Sequence, residues 1–253
     1  MFGWFKPQCP VDPAAKQWIE DRLHWLSKQF GRDIFTRRAM ILPTSEFFPE
    51  QLDGTAEAVR RLLDQVCDYM DVSPDRVELD FFTNRNQLGL VNDAGKALPS
   101  GAAGLYEDQG DRRVIHLETN ELSNLEAVIG TIAHELSHLR LMGEDRVSGD
   151  EFDNELLTDL TATFFGFGLF LGNHPRNWEG SYSKWPGTQL QCPEYMSLPM
   201  YAWVLCHSAW WRGQEKPEWT KYMSYDLRAS FRQGMRYLRK TGDSKFAPPA
   251  RRG

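Results

Sequence analysis

The segment from residue 123 to residue 142 constrains the fold of this chain most, because it combines the pattern of a buried helix with three polar side chains. Its central part has the sequence TIAHELSHLRL, in which apolar residues surround His134, Glu135 and His138. Two imidazoles and a carboxylate are costly to bury without partners. We therefore expect these side chains to share a partner inside the fold.

The spacing of the two histidines favours a metal site. On a helix, residues four positions apart differ by about 40° in azimuth and about 6 Å in rise, so His134 and His138 can each offer a ring nitrogen to one ion. Imidazole nitrogens bind zinc at about 2.0–2.1 Å. Glu135 projects about 100° away from His134, a position suited to the general base for an attacking water. The alternative is that both histidines are surface or capping residues of an ordinary helix.

A second motif, NELLTD at residues 154–159, offers the further acidic groups that a catalytic zinc site needs. Glu155 and Asp159 are four residues apart and share one face of the predicted helix. Glu155 would complete a set of two histidines and one glutamate, and Asp159 would accept the free ring N–H of a ligating histidine. The alternative is that both acids only compensate the helix dipole, which suits Glu155 better than Asp159.

Together, HELSH at residues 134–138 and NELLTD at residues 154–159 resemble the gluzincin clan of zinc metallopeptidases. That clan, which includes the thermolysin-like enzymes, carries H-E-x-x-H on one helix and N-E-x-x-x-D or a close variant on the next. The resemblance covers about residues 100–172 and is to the compact minigluzincin type. The metzincin pattern is not met, because the glycine falls at a different offset and no third histidine follows.

The resemblance implies a zinc-dependent peptidase that hydrolyses peptide bonds. Zn²⁺ would be bound by His134, His138 and Glu155. Glu135 would act as the general base, and Asp159 would orient His134. The strand RRVIHLET at residues 112–119 would be the edge strand against which an extended substrate lies.

Peptide hydrolysis also needs a group that stabilises the oxyanion, usually a tyrosine or histidine beside the metal. Tyr201 and Tyr195 rank first, because they lie on or near a predicted helix that could line the site. An aromatic residue at helical spacing is more often part of a core, and that alternative stays open for both. The other downstream candidates are His174, Tyr182 and His207. His116 and His24 are expected to be structural residues.

The order of the predicted elements indicates an α+β fold: a small, mainly antiparallel sheet packed against a two-helix zincin core, with additional N- and C-terminal helices. Helices are predicted at about residues 13–30, 55–70, 123–142, 152–171, 194–212 and 224–241, and strands at VELDFF, AAGLYED and RRVIHLET. Residues 33–43 are predicted to be extended, and residues 84–101 and 172–193 to be loops. The predicted helix caps and stops are Asp12, Gly31, Ser123, Gly143, Ser224 and Gly242.

The 253 residues are expected to form a single domain, with residues 1–95, 100–172 and 173–253 as its N-terminal, catalytic and C-terminal parts. The formal net charge of −6 disfavours general nucleic-acid binding, so the expected partner is a peptide or protein substrate. The sequence contains no signal peptide and no run of 18 apolar residues, and its four cysteines form no CxxC pair. We therefore expect a cytoplasmic protein that does not enter a membrane.

Two other functions stay open at this point. One is a catalytically inactive, metal-stabilised interaction or regulatory module. The other is a regulator that cleaves a partner and binds nucleic acid through the basic segment from Arg228 to Arg252. The sequence leaves the oligomeric state open.

Overall fold

The computed structural model describes residues 6–50, 53–82, 104–108, 113–119, 122–176 and 182–246. The predicted loop at residues 84–101 lies outside the described residues. In chain order, the elements are α1 (Pro13–Phe30), α2 (Arg32–Arg37), α3 (Ala56–Tyr69), β1 (Val77–Phe82), β2 (Gly104–Asp108), β3 (Arg113–Glu118), α4 (Leu125–Leu141), α5 (Asn154–Ala162), a π-helical turn (Thr163–Phe167), α6 (Gly168–Asn173), β4 (Tyr182–Lys184), β5 (Gln191–Pro193), α7 (Leu198–Trp211) and α8 (Tyr225–Thr241). The predicted α+β class is confirmed.

The chain divides into two compact units. The central unit, Pro43–Asn154, contains α3, the three-stranded sheet and α4. The terminal unit, Met1–Leu42 with Glu155–Gly253, contains the remaining helices and the β4–β5 hairpin. The expectation of a single domain over residues 1–253 stays a prediction.

The sheet of the central unit has the order β1–β3–β2, with β3 parallel to β1 and antiparallel to β2. Because both edges of β3 are paired and Val114–Glu118 is buried throughout, β3 is an interior strand. The expectation that RRVIHLET forms an edge strand for substrate is therefore wrong. The segment VELDFF forms β1 and pairs with β3 along the edge where a substrate peptide was expected to bind.

Helix α4 begins and ends differently from the prediction. Its N-cap is Asn124, whose side chain accepts the Ala127 N–H at 3.2 Å, so Ser123 is not the cap. Gly143 is not a left-handed stop, since it is absent from the positive-φ residues. A Cβ at Gly143 would lie 2.7 Å from the Tyr106 hydroxyl oxygen and 2.9 Å from the Leu139 carbonyl oxygen. Close approach of neighbouring atoms, and not a left-handed backbone conformation, therefore accounts for this glycine.

In the terminal unit, α7 packs against α1, α6 and α8. The predicted caps of α1 and α8 are confirmed: Asp12 accepts the N–H groups of Ala14 and Ala15, and Gly242 ends α8 in the left-handed conformation. Within the described segments, the helical run Asn154–Asn173 is long and apolar enough to cross a membrane by length and composition alone. Of its most apolar 18-residue stretch, 94% is buried inside the protein, as in a core helix.

Two local predictions in the terminal unit are wrong. Residues 32–37 form α2 and are not extended, because Phe35 is buried by packing against Phe164 and Trp211 at ring-centroid distances of 5.3 Å. Tertiary burial of one aromatic ring here decides the local conformation. The predicted loop at residues 172–193 contains the short β4–β5 hairpin.

Gly166 permits the π-helical turn between α5 and α6. Its φ is 107° and ψ is 2°, a conformation that other L-residues rarely adopt, and its carbonyl accepts the Ile41 N–H at 3.2 Å. A Cβ there would lie 3.2 Å from Ile41 Cγ1, so space is restricted as well. The turn therefore depends on this glycine for both backbone conformation and packing.

We expect Gly166→Ala to lower the free energy of unfolding by about 2–3 kcal/mol, measured by urea denaturation. The strained backbone conformation and the contact of the new Cβ with Ile41 should both destabilise the variant. Gly242→Ala is the matched control, since its φ of 63° is left-handed but nothing lies within 4 Å of its added Cβ. That control should lose only about 1 kcal/mol. Equal losses in the two variants would contradict the role assigned to the packing at Gly166.

Candidate metal centre

Helix α4 carries the H-E-x-x-H residues on a buried surface of the central unit. It packs against α3, β2 and β3, and all residues from Thr131 to Leu139 are buried. The exposed fractions of His134, Glu135 and His138 are 1%, 2% and 7%. The alternative in which these histidines are surface residues is therefore excluded, and their polar atoms require partners inside the fold.

The two imidazole rings converge on one point. His134 Nε2 and His138 Nε2 are 3.2 Å apart, and the ring centroids are 4.8 Å apart at an interplanar angle of 81°. One ligating atom from each of the two histidines and Glu135 lies within 4.8 Å of the others. Among the described residues, this is the one group of three potential metal ligands that lie so close together.

The separation of the two nitrogens fits a tetrahedral metal site. Two nitrogens that are each about 2.05 Å from one ion, at the tetrahedral angle, lie about 3.3 Å apart. The observed 3.2 Å matches this distance without movement of either ring. The two imidazoles also offer the nitrogen ligands that zinc takes in catalytic sites, and they leave the Glu135 carboxylate available as a base.

The same separation is also compatible with a direct hydrogen bond between the rings. One neutral imidazole can donate its Nε2–H to the Nε2 lone pair of the other at about 3 Å. This arrangement needs no metal, and it would satisfy one nitrogen of each ring. The two interpretations differ in one measurable property, which is whether the folded protein binds a divalent ion at these residues.

Tyr106 of β2 is a neighbour of this cluster that the sequence did not identify. Its ring stacks on the His138 ring at a centroid distance of 6.1 Å and an interplanar angle of 21°. The predicted β2–β3 hairpin precedes the motif helix, but nothing in the sequence indicates which residue of β2 meets α4. The antiparallel register of β2 with β3, which pairs Tyr106 with Ile115, determines this position.

The other predicted site residues form a group that belongs to the terminal unit. Glu155 lies in the first turn of α5, and Asp159 is fully buried one turn later. Asp159 Oδ2 accepts the backbone N–H of Met196 at 2.8 Å, which links α5 to the segment that precedes α7. The predicted roles of Glu155 as a metal ligand and of Asp159 as the residue that orients His134 stay predictions.

Tyr195 and Tyr201 belong to the same group. Burial raises the pKa of the Tyr195 phenol, and the charge of Glu155 raises it further. Burial also raises the pKa of Tyr201, with a further contribution from the charge of Asp159. Both phenols therefore stay protonated and able to donate a hydrogen bond. Arg176, which the sequence did not identify, lies over the Tyr195 ring with its guanidinium carbon 5.7 Å from the ring centroid.

The remaining histidine candidates have different environments. His116 Nδ1 on β3 lies 3.2 Å from Asp80 Oδ2, and His174 is exposed. His207 is fully buried, with Nδ1 3.0 Å from the Trp203 carbonyl oxygen and Nε2 within 3.3 Å of both Glu20 Oε1 and Ser244 Oγ. Because the serine and the glutamate share one nitrogen, this group is not a nucleophilic relay of the serine-hydrolase kind. The side chain of Tyr182 lies outside the described residues.

The first part of the basic segment lies on α8, and its residues 247–252 lie outside the described part of the chain. Arg232 and Arg236 are exposed, and neither forms an ion pair within the described part of the chain. Such a face is most often simply solvated. It therefore does not favour nucleic-acid binding over the chemistry of the α4 cluster.

Searches against protein-family models, curated proteins and solved structures found no match for this chain.

We expect the protein to bind one equivalent of Zn²⁺ or Co²⁺, because two buried nitrogens already have the separation that one ion requires. His134→Ala or His138→Ala should weaken the metal affinity by at least about 100-fold. Loss of a ligand should have a larger effect than loss of a residue that only orients a ligand, which typically weakens the affinity by about 10–100-fold. A chelator-competition titration measures this change. His24→Ala, on the exposed side of α1, is the control and should bind like the wild type. Unchanged affinity in both ligand variants would favour the direct hydrogen bond between the rings.

Proposed function

We propose that this chain is a zinc-dependent peptidase of gluzincin type, with His134, His138 and Glu155 as metal ligands and Glu135 as the general base. A peptide or protein is the substrate. The observation that carries the proposal is the buried convergence of His134 Nε2 and His138 Nε2 at 3.2 Å, with the Glu135 carboxylate in the same cluster. Zinc held there supplies Lewis-acid activation of water and of the substrate carbonyl.

The surroundings of Glu135 support its proposed role as the general base. Its carboxylate lies within 4.8 Å of the ligating atoms of both histidines, and only 2% of the residue is exposed. A carboxylate oxygen of Glu135 would take a proton from the attacking water and then deliver it to the amine nitrogen of the leaving group. Burial in α4 holds this carboxylate beside the two imidazoles, so little reorganisation is needed for proton transfer.

The third ligand is proposed from sequence spacing and family resemblance. Glu155 lies in the first turn of α5, where a carboxylate is compatible with the helix dipole. Asp159 is proposed to accept the free ring N–H of His134, the role that a buried carboxylate has beside many metal-bound histidines. Its Oδ2 already accepts the Met196 N–H, which fixes the orientation of the carboxylate.

Tyr195 is the better of the two proposed oxyanion donors. Tyr201 is fully buried, whereas Tyr195 is only half-buried and lies close enough to Glu155 for that charge to affect its pKa. The raised pKa keeps the Tyr195 phenol protonated, so it can donate to a developing negative charge. Burial makes Tyr201 a residue that packs in the core of the terminal unit and supports this donor indirectly.

We expect Glu135→Gln to abolish the cleavage of a denatured-protein library while metal affinity stays within about threefold of wild type. The amide keeps the size of the side chain but cannot take a proton from water, and loss of a general base costs about 10²–10⁴ in rate. Mass spectrometry of the new peptide termini measures the cleavage. The matched control is Glu126→Gln, in the first turn of the same helix, which should cleave like the wild type.

Equal cleavage by the wild type and Glu135→Gln would remove the peptidase proposal. A wild type that binds zinc with high affinity but cleaves nothing would favour the alternative of a metal-stabilised regulatory module. The comparison therefore separates the two functions that the α4 cluster can support.

A further inference from the structure

We propose that Tyr106 is a positioning residue that holds the His138 ring in its metal-binding orientation, and that Gly143 is the position that makes room for it. The proposal rests on the metal-binding function proposed above, and it adds a residue outside both motifs. Tyr106 is assigned no contact with substrate, so it is not a catalytic residue.

The position of Tyr106 is set by the sheet. It lies at the centre of β2, opposite Ile115 of β3, and Ile115 is fully buried. Strand β2 packs directly against α4. A strand that is hydrogen-bonded along its length to an interior strand holds its side chains more rigidly than a loop does. The position of the Tyr106 ring is therefore set by the pairing of β2 with β3.

The Tyr106 ring lies beside the His138 imidazole in an offset, near-parallel arrangement. The rings are near parallel, at 21°, and their centroids are 6.1 Å apart, within the 4.5–7 Å range of favourable aromatic pairs. His134 meets the same imidazole edge-on, at 81°. Two neighbours at different angles therefore restrict the rotation of the His138 ring and keep its Nε2 directed towards His134 Nε2.

Gly143 permits the Tyr106 hydroxyl to reach the end of α4. A Cβ at this residue would lie 2.7 Å from the Tyr106 hydroxyl oxygen, a distance that real Cβ atoms do not show. The backbone N–H of Gly143 also donates to the His138 carbonyl oxygen at 3.3 Å. The tyrosine therefore contacts the turn that begins at His138 as well as the His138 ring, and a side chain at Gly143 would displace it.

Pre-orientation of a ligand ring raises metal affinity, because less side-chain freedom is lost when the ion binds. Residues that orient metal-bound histidines typically change affinity by 10–100-fold when they are removed. We expect Tyr106→Ala to weaken Zn²⁺ affinity by about 10–100-fold. Tyr106→Phe keeps the ring and should stay within about threefold of wild type.

The experiment is a Zn²⁺ chelator-competition titration of the full chain for the wild type, Tyr106→Phe, Tyr106→Ala and Tyr69→Ala. Tyr69 is the matched control: it is a half-buried tyrosine of the same unit, at the end of α3, and it packs on Phe47 and Phe48. Its truncation should reduce stability without changing zinc affinity. Zinc affinity of Tyr106→Ala equal to that of Tyr69→Ala would overturn the proposal.

A second measurement does not depend on metal. In the metal-free wild type, the carbon-bound ring protons of His138 should show a ring-current contribution from Tyr106 in the NMR spectrum: their chemical shifts should be kept in Tyr106→Phe and should change in Tyr106→Ala, where only the His134 contribution remains. Absence of this contribution in the wild type would overturn the proposal even if Tyr106→Ala failed to fold. Wild-type protein that binds no zinc would overturn both this proposal and the proposed function.

The role of Gly143 is tested by coupling. Gly143→Ala should weaken zinc binding, and it should weaken it less in the Tyr106→Phe background, because the hydroxyl that meets the new Cβ is gone. The contact with the Leu139 carbonyl oxygen, at 2.9 Å, is the same in both backgrounds and cancels in the comparison. Equal losses in the two backgrounds would contradict the assigned role. If these changes in zinc affinity are observed but the wild type cleaves no peptide, only the proposed function is contradicted.

Discussion

The convergence of two imidazole nitrogens on the buried surface of α4 is the constraint on which the rest of the site depends. A helix brings residues four positions apart to the same face, but only burial on all sides restricts the rings enough to keep their Nε2 atoms 3.2 Å apart. The packing of α3, β2 and β3 around α4 supplies that restriction. The chemistry proposed for the chain is therefore a consequence of how the central unit buries one helix.

The two groups of proposed site residues are held by different kinds of contact. His134 and His138 are ordered by their own helix and by the Tyr106 ring. In the terminal unit, Asp159 is ordered by a hydrogen bond from the Met196 N–H. The charge of Glu155 raises the pKa of Tyr195, and the Arg176 guanidinium lies over the Tyr195 ring. Each group is assembled from segments of its own unit.

The H-E-x-x-H cluster could be predicted from sequence because it depends only on helical periodicity and on the apolar residues around it. The helices with strong caps, such as α1 and α8, were predictable for the same local reasons. What the sequence could not reveal depends on tertiary contacts: α2 forms because Phe35 is buried, β3 is interior because β1 pairs with it, and Tyr106 reaches His138 through strand register. The sequence predicts a helix stop at Gly143, because a glycine that makes room for a distant hydroxyl has no sequence pattern of its own.

The most direct test of the central claim is an anomalous-difference map of crystals of the zinc-loaded protein, recorded at the zinc edge. The account predicts one strong peak about 2.0–2.1 Å from both His134 Nε2 and His138 Nε2, with the Glu155 carboxylate as the third protein ligand. A map without a peak at these nitrogens, with the two rings hydrogen-bonded directly to each other, would contradict the metal centre and the hydrolytic function derived from it.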